Sequence, residues 1–263
     1  MKNNNCDVGI FIASCDRYSD LWYPFFCFWN KYWPDCNLPI YLMSNKKRFD
    51  GVAQLFVSEK NWSDEMLSVL DQFPHEYILY IQDDYFLNKK VNNERIKQIL
   101  KLVEENQPAY FRLFPHCGPP KEELLEGYKD VQFISKGTSF ITSLQAAIWH
   151  KESLKQILLS GENIWDFELN SPSRTKKIDR NFLSVVWQNH LPRKERDYPI
   201  NYFCTAIRKG KWRKDAIAFC LEEGVHIDLS SRPIENRWDE FKKEYIYNNI
   251  SPKYQPFVMK HIL

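Results

Sequence analysis

The sequence predicts an α/β domain: a mixed, mainly parallel sheet flanked by helices, with a more helical C-terminal part. Three observations carry that expectation. Short apolar, β-prone runs alternate with helical periodicities through the first half of the chain, and the second half is mixed. The run Ile78-Leu79-Tyr80-Ile81 is apolar at successive residues, which suits a strand covered on both faces. That run leads directly into Gln82-Asp83-Asp84-Tyr85-Phe86. Two adjacent carboxylates then stand at the carboxyl end of a central strand, where open α/β sheets bind their ligands. Carboxylates so close repel unless a cation joins them, and a divalent metal is the usual partner. The plainer reading is an exposed acidic turn.

The elements follow in order. Residues 7–13 read as the first buried strand, ending in the polar loop Ser14-Cys15-Asp16-Arg17-Tyr18-Ser19-Asp20. An aromatic helix comes next, with Trp22, Phe25, Phe26, Trp29 and Trp33 at helical spacing, Asp20 as its N-cap and Pro24 near its start. Residues 39–43 and 53–57 read as strands. Ser63 reads as the cap of a helix carrying Met66, Leu67, Leu70 and Phe73, with Asp64 and Glu65 in the first turn, where the helix dipole favours acids. After the central strand, Asn92-Asn93 cap a helix with Ile96, Ile99, Leu100 and Val103 on one face. Residues 109–114, 131–134 and 140–142 are strand candidates. Residues 146–149 lead into a helix with Leu154, Ile157 and Leu158, closed by Gly161. Ile178, Phe182, Val185 and Val186 fit a further amphipathic helix, and residues 238–247 fit another.

Composition narrows the function classes. A chain of 263 residues can bury a sizeable core as one large domain. A net charge of +2 excludes a general nucleic-acid binder by bulk charge. Aromatics, at 16%, are high: many must pack the core and some are candidates for stacking on a base or sugar, among them Trp62, Trp149 and Trp165, for each of which core packing is the plainer reading. The N-terminus lacks the apolar stretch of a signal peptide, and no apolar run approaches membrane-spanning length. Seven cysteines, with no Cys-x-x-Cys pair, fit reduced thiols in a cytoplasmic protein rather than a disulfide framework or a structural zinc site. No glycine-rich phosphate loop and no Gly-x-Ser-x-Gly elbow occurs, which disfavours P-loop, dinucleotide-binding and α/β-hydrolase chemistry. From residue 174 to 214 the chain is basic, twelve Lys or Arg against three Asp or Glu, the natural place for any peripheral contact with an anionic membrane.

Four stretches together resemble a known family: Ser14-Cys15-Asp16-Arg17-Tyr18, residues 78–86, Ser143-Leu144-Gln145-Ala146-Ala147-Ile148-Trp149, and Trp165-Asp166-Phe167-Glu168. Their order over residues 7–214 looks like the GT-A fold. These are metal-dependent glycosyltransferases using nucleotide sugars, and more closely the small enzymes of bacterial capsule and O-antigen gene clusters. The resemblance divides the chain into a nucleotide-sugar-binding half (1–115), an acceptor-binding and catalytic half (116–214) and a C-terminal extension (215–263). It implies a nucleotide-sugar donor, UDP-linked by preference, and a saccharide or lipid-linked oligosaccharide acceptor. Ser14, Asp16 and Arg17 match nucleoside-contacting positions. The family's metal motif is Asp-x-Asp. Here Gln82 stands where one carboxylate usually faces the ribose, and Asp84 matches the metal-binding carboxylate with Asp83 beside it. His226 falls where some members supply a further ligand to Mn²⁺ or Mg²⁺. Glu168, then Asp166, matches the acceptor-activating base of inverting enzymes. Lys209 and Lys211, flanking Gly210, are candidates for holding the donor diphosphate or an anionic acceptor; a solvated basic face is the plainer reading. Arg112 could reach a phosphate or make a surface ion pair. A metal-dependent nucleotidyltransferase would use the same carboxylates, but residues 14–18 lack the glycine its phosphate loop needs. A non-catalytic sugar- or nucleotide-binding protein is the remaining alternative, suggested by Gln82.

Overall fold

The computed structural model describes residues 6–115, 118–119, 121–192, 195–236 and 249. Among them, eight strands form one sheet: β1 (Val8–Ala13), β2 (Ile40–Ser44), β3 (Ala53–Phe56), β4 (Tyr77–Gln82), β6 (Tyr110–Arg112), β7 (Val131–Phe133), β8 (Ala147–His150) and β9 (Phe182–Val185). Their spatial order is β3-β2-β1-β4-β8-β6-β9-β7. The pairs from β3 through β4 are parallel, as is β6 with β9. Strand β8 runs antiparallel between β4 and β6, and β7 is an antiparallel edge. The α/β class with a mixed, mainly parallel sheet is therefore as the sequence predicts.

Side-chain alternation builds a core on each face. Ile10, Ile12, Leu79 and Ile81 join the apolar faces of α1 (Trp22–Tyr32), α3 (Asn93–Asn106) and α6 (Lys214–Glu222). Phe11, Ala13, Ile78 and Tyr80 point the other way, into α2 (Trp62–Gln72), α4 (Lys151–Ile157) and α5 (Ile164–Asn170). Strand β4 is buried on both faces because helices cover both, which is what its unbroken apolar run requires. Two small ribbons complete the described elements: β5 (Phe86–Leu87) with β10 (Tyr202–Phe203), and β11 (Ile207–Arg208) with β12 (Lys211–Trp212).

Several local expectations are corrected. Residues 182–185 form β9, not a helix: Phe182, Leu183 and Val185 are buried and the segment pairs on both edges. The apolar spacing satisfied a helical period by accident, whereas the β-branched and aromatic content matched a two-faced strand. Residues 147–150 are likewise a strand, and the helix that follows ends at its C-cap Leu158, before Gly161. Residues 140–142 form turns, with Phe140 at φ +60°. Asn61, not Ser63, caps α2 by accepting the Asp64 backbone N–H. A 3₁₀ helix (Asp16–Leu21) precedes α1, so Asp20 lies inside it and caps nothing. Asn92 caps α3, as expected. The segment 238–247 lies outside the described residues.

Candidate active site

Parallel register places the tips of β1 and β4 side by side: Ala13 is opposite Gln82, and Asp83 donates its backbone N–H to the Ala13 carbonyl at 3.3 Å. Ser14 and Asp83 therefore meet. The Ser14 hydroxyl donates to Asp83 Oδ2 and accepts from Trp22 Nε1 at 2.7 Å. Asp84 is held from the other side. Thr205 donates its hydroxyl to Asp84 Oδ2, and the Asp84 carbonyl accepts the Ala206 N–H at 2.9 Å. Both carboxylates are buried, Asp83 at 5% and Asp84 at 8% exposure. The exposed acidic turn is thereby excluded.

Burial acts on both groups. Burial, then the Asp84 charge, raises the Asp83 pKa well above the ordinary carboxylate value, against the Ser14 hydrogen bond. Burial pushes Asp84 up to about 6, opposed by the Thr205 hydroxyl and the Ile207 backbone N–H. Asp84 Oδ1 has no hydrogen-bond partner, and buried polar atoms without one are rare. This orphaned oxygen, beside a second carboxylate, fits a hard cation that takes its remaining ligands from water and substrate phosphates. Among the described residues no three His, Cys, Asp or Glu side chains gather as a protein-only ligand set. His226 is exposed beyond α6, where its charge acts on Asp228.

The other expected donor contacts are dispersed. Asp16 is turned toward the end of β2: its carboxylate accepts the N–H groups of Asn45 (2.9 Å), Lys46 and Lys47, while Asp16 N donates to Asn45 Oδ1 at 3.1 Å. Slight burial works against its charge, but those N–H groups outweigh it and lower the pKa. Arg17 is exposed. Gln82 extends Nε2 to the Leu144 carbonyl at 3.5 Å. Lys209 and Gly210, at φ +48° and +76°, make the two-residue turn of the β11–β12 hairpin, a type I′ geometry in which glycine serves turn conformation rather than close approach to a ligand. That hairpin begins directly after Thr205 and Ala206, the residues that clasp Asp84, and Lys209 at its tip is exposed.

Helix α5 positions the two candidate bases. Asn163 and Asp166 form a capping box: Asn163 Oδ1 accepts the Asp166 N–H at 3.0 Å and Asp166 Oδ2 accepts the Asn163 N–H at 3.5 Å. Glu168 faces elsewhere. Its Oε1 accepts the Leu144 N–H at 2.7 Å, so Glu168 and Gln82 grip opposite ends of the same loop residue. Burial raises the Glu168 pKa, against the Leu144 N–H and the Ser143 hydroxyl. A groove of about 690 Å³ has Glu168 in its wall; Asp83 and Asp84 do not line it.

Arg112 makes neither a phosphate contact nor a surface ion pair. It is 1% exposed and donates to Tyr110 Oη (2.9 Å) and to the carbonyls of Gly118 (2.9 Å), Phe140 and Ile141 (3.1 Å). Trp149 is fully buried and Trp62 packs on Phe167 at 5.2 Å; Trp165 alone of the three is exposed. Two residues near the carboxylates carried no sequence signal. Thr205 arrives from 121 positions away. Arg232 binds Asp20 through Nε (2.7 Å) and Nη2, lies 4.6 Å over the Tyr18 ring, and holds down the pKa values of Asp83 and Asp84 by its charge.

No protein-family model and no curated protein matches the sequence. Among solved structures, S. aureus TarS 1-349 in complex with UDP-GlcNAc aligns with 94% of this chain and 72% of its own, at 13% identity and a TM-score of 0.48. The longer S. aureus TarS structure aligns at 11% identity and a TM-score of 0.45, and this chain spans 43% of it. CMP:2-keto-3-deoxy-manno-octonic acid synthetase complexed with CTP covers 69% of this chain at 8% identity and a TM-score of 0.41. Likenesses this distant assign neither a family nor an activity.

Proposed function

We propose that the chain is an inverting glycosyltransferase that moves a sugar from a nucleotide-sugar donor, UDP-linked by preference, to a hydroxyl of a saccharide or lipid-linked oligosaccharide in bacterial surface-polysaccharide synthesis. The single observation that carries this reading is the buried Asp83–Asp84 pair at the tip of β4, with an unsatisfied Asp84 oxygen. The order of motifs along the chain, which resembles GT-A enzymes, supports it.

In this reading Asp84, with Asp83 beside it, holds a divalent cation. Such an ion, when bound, neutralises the charge that grows on a departing nucleoside diphosphate. The chain's own residues divide the remaining work. Ser14 orients Asp83 and Thr205 orients Asp84. Lys209 and Lys211, on the hairpin adjoining Thr205, offer charge to the diphosphate. Glu168 takes the proton of the acceptor hydroxyl, its basicity raised by burial. A single base and in-line attack require inversion at the anomeric carbon. No helix among the described residues is long and apolar enough to cross a membrane, so any membrane contact in this reading is peripheral, through the basic stretch.

The test is a panel of UDP- and GDP-sugars incubated with Mn²⁺ or Mg²⁺, with released nucleotide and the anomeric configuration of the product followed by NMR. Release of nucleoside diphosphate with inversion supports the proposal. Retention removes the assigned role of Glu168, and pyrophosphate release from a nucleoside triphosphate with a sugar phosphate identifies a nucleotidyltransferase instead. Binding without turnover of any donor leaves the non-catalytic reading.

A further inference from the structure

The groove that includes Glu168 also carries a cation, Lys176. Gly137, Phe140, Leu159, Leu169 and Lys176 are among its other walls. Leu159 and Leu169 are 51% and 36% exposed, so the groove offers apolar edges to solvent. Ser139, Asn170 and Ser173 add small polar groups. Apolar edges interleaved with short hydrogen-bonding side chains suit a sugar ring, which has apolar faces and a polar rim.

Lys176 is exposed, and its stem runs against Gly137. A Cβ on Gly137 would lie 2.7 Å from Lys176 Cε, so the lysine stem crosses directly over that glycine, which itself sits at φ +87°. The two segments are stapled on either side of the crossing. Gly137 N–H donates to Thr175 Oγ1 at 3.0 Å, and Lys136 Nζ donates to the Ile178 carbonyl. The neighbouring charge in the groove is already cancelled, because Arg174 makes a two-pronged pair with Glu162 at 2.9 and 2.7 Å. Lys176 has no acidic partner among the described residues. An exposed ammonium with no ion pair among the described residues, lining the same groove as Glu168, offers a counter-charge to an anionic group bound there.

We propose that this groove is an acceptor subsite for a saccharide bearing an anionic group, a carboxylate or a phosphate ester, which pairs with Lys176. The proposal rests on Glu168 acting as the acceptor base. It adds the charge of the substrate: without the Lys176 ammonium, an anionic acceptor would be repelled by the carboxylate that must deprotonate it.

The experiment titrates the full chain with three probes by ligand-observed NMR: methyl glucuronide, glucose 6-phosphate and methyl glucoside. The wild type is expected to prefer at least one anionic probe over the neutral one, by roughly five-fold as for a partly exposed ion pair. The preference should shrink as salt rises. Lys176→Met should erase it, and Gly137→Ala should weaken it by pushing the lysine stem aside. Which anionic probe binds more tightly identifies the chemical source of the charge. Equal affinity for all three probes, no binding of any, or a preference that survives Lys176→Met overturns the proposal. Donor turnover measured on the same samples separates the two claims. Turnover without charge preference sinks the subsite alone, and charge preference without turnover sinks the transferase reading and leaves the groove as an anionic-saccharide site without an acceptor role.

Discussion

Asp84 lies just past the end of β4, as its place after an apolar run predicts, and its energetics are open to direct test. Its pKa is pushed from 3.8 up to about 6 by burial. A carboxyl whose folded pKa exceeds its unfolded value contributes stability that is full below the unfolded value and is lost as pH rises through the folded one. Metal-free protein should therefore lose stability between about pH 4 and pH 6 through this group. Asp84→Asn should remove that component and raise Tm at neutral pH by a few degrees, and Mn²⁺ should raise Tm of the wild type but not of the variant. Thermal denaturation at pH 5 and pH 7.5 checks this; identical pH dependence in the two proteins would contradict it. Glu168 and Asp166 separate at the same scale. Glu168→Gln should lower kcat by about 10²–10⁴-fold, with donor binding little changed. Asp166→Asn should act mainly through the helix cap. Steady-state kinetics on both variants decides the assignment, and the reverse ranking would make Asp166 the base. The paired carboxylates were legible because they follow an apolar strand in sequence. Thr205 and Arg232 were not, because what makes them neighbours of the pair is chain reversal over more than a hundred residues, which no local pattern records.

At the scale of elements, strands and caps obey local chemistry where side chains compete with few alternatives. Asn92 before an amphipathic run was readable as a cap; Asn61, two residues from a serine of similar capping preference, was not. Strand β9 was misread because four buried residues are too few to distinguish a period of two from one of 3.6. Arg112 was misread because its partners are carbonyls, which sequence cannot show. These elements set the geometry of Glu168: Asn163 starts α5, and Arg112 ties residues 118 and 140–141 beside the Ser143-Leu144 loop that Glu168 grips. Asn163→Ala should lose about 1 kcal/mol of stability, the usual effect of an N-cap. Arg112→Met strips donors from two buried carbonyls and one half-buried carbonyl and should lose at least about 2 kcal/mol, since each unsatisfied buried group costs about 1–3 kcal/mol. Urea denaturation measures both, and an Arg112→Met protein as stable as the wild type would show that the 140–144 loop is held by other contacts.

For the whole molecule, the sheet order explains why the site sits where it does. Strand β4 stands between parallel β1 and antiparallel β8, so the tips of β1 and β4 converge while the 143–145 loop leading into β8 crosses the same edge. The α/β class was legible from the alternation of elements. The antiparallel insertion of β8 was not, because a four-residue strand beside a helix start reads as part of the helix. The basic stretch also changes character in three dimensions. Arg174, Arg180 and Arg213 turn inward onto Glu162, the Gln107 carbonyl and the Cys204 and Thr205 carbonyls, leaving lysines such as Lys176, Lys177 and Lys209 at the surface. The central claim is that transfer depends on a cation held at Asp84. The most direct measurement is the initial rate of nucleotide release from the best donor as Mn²⁺ is raised, in the wild type and in Asp84→Ala, with circular dichroism confirming that both are folded. The wild-type rate should rise from near zero to saturation and Asp84→Ala should stay at the metal-free baseline; full activity in Asp84→Ala, or in the wild type under excess chelator, would contradict the account.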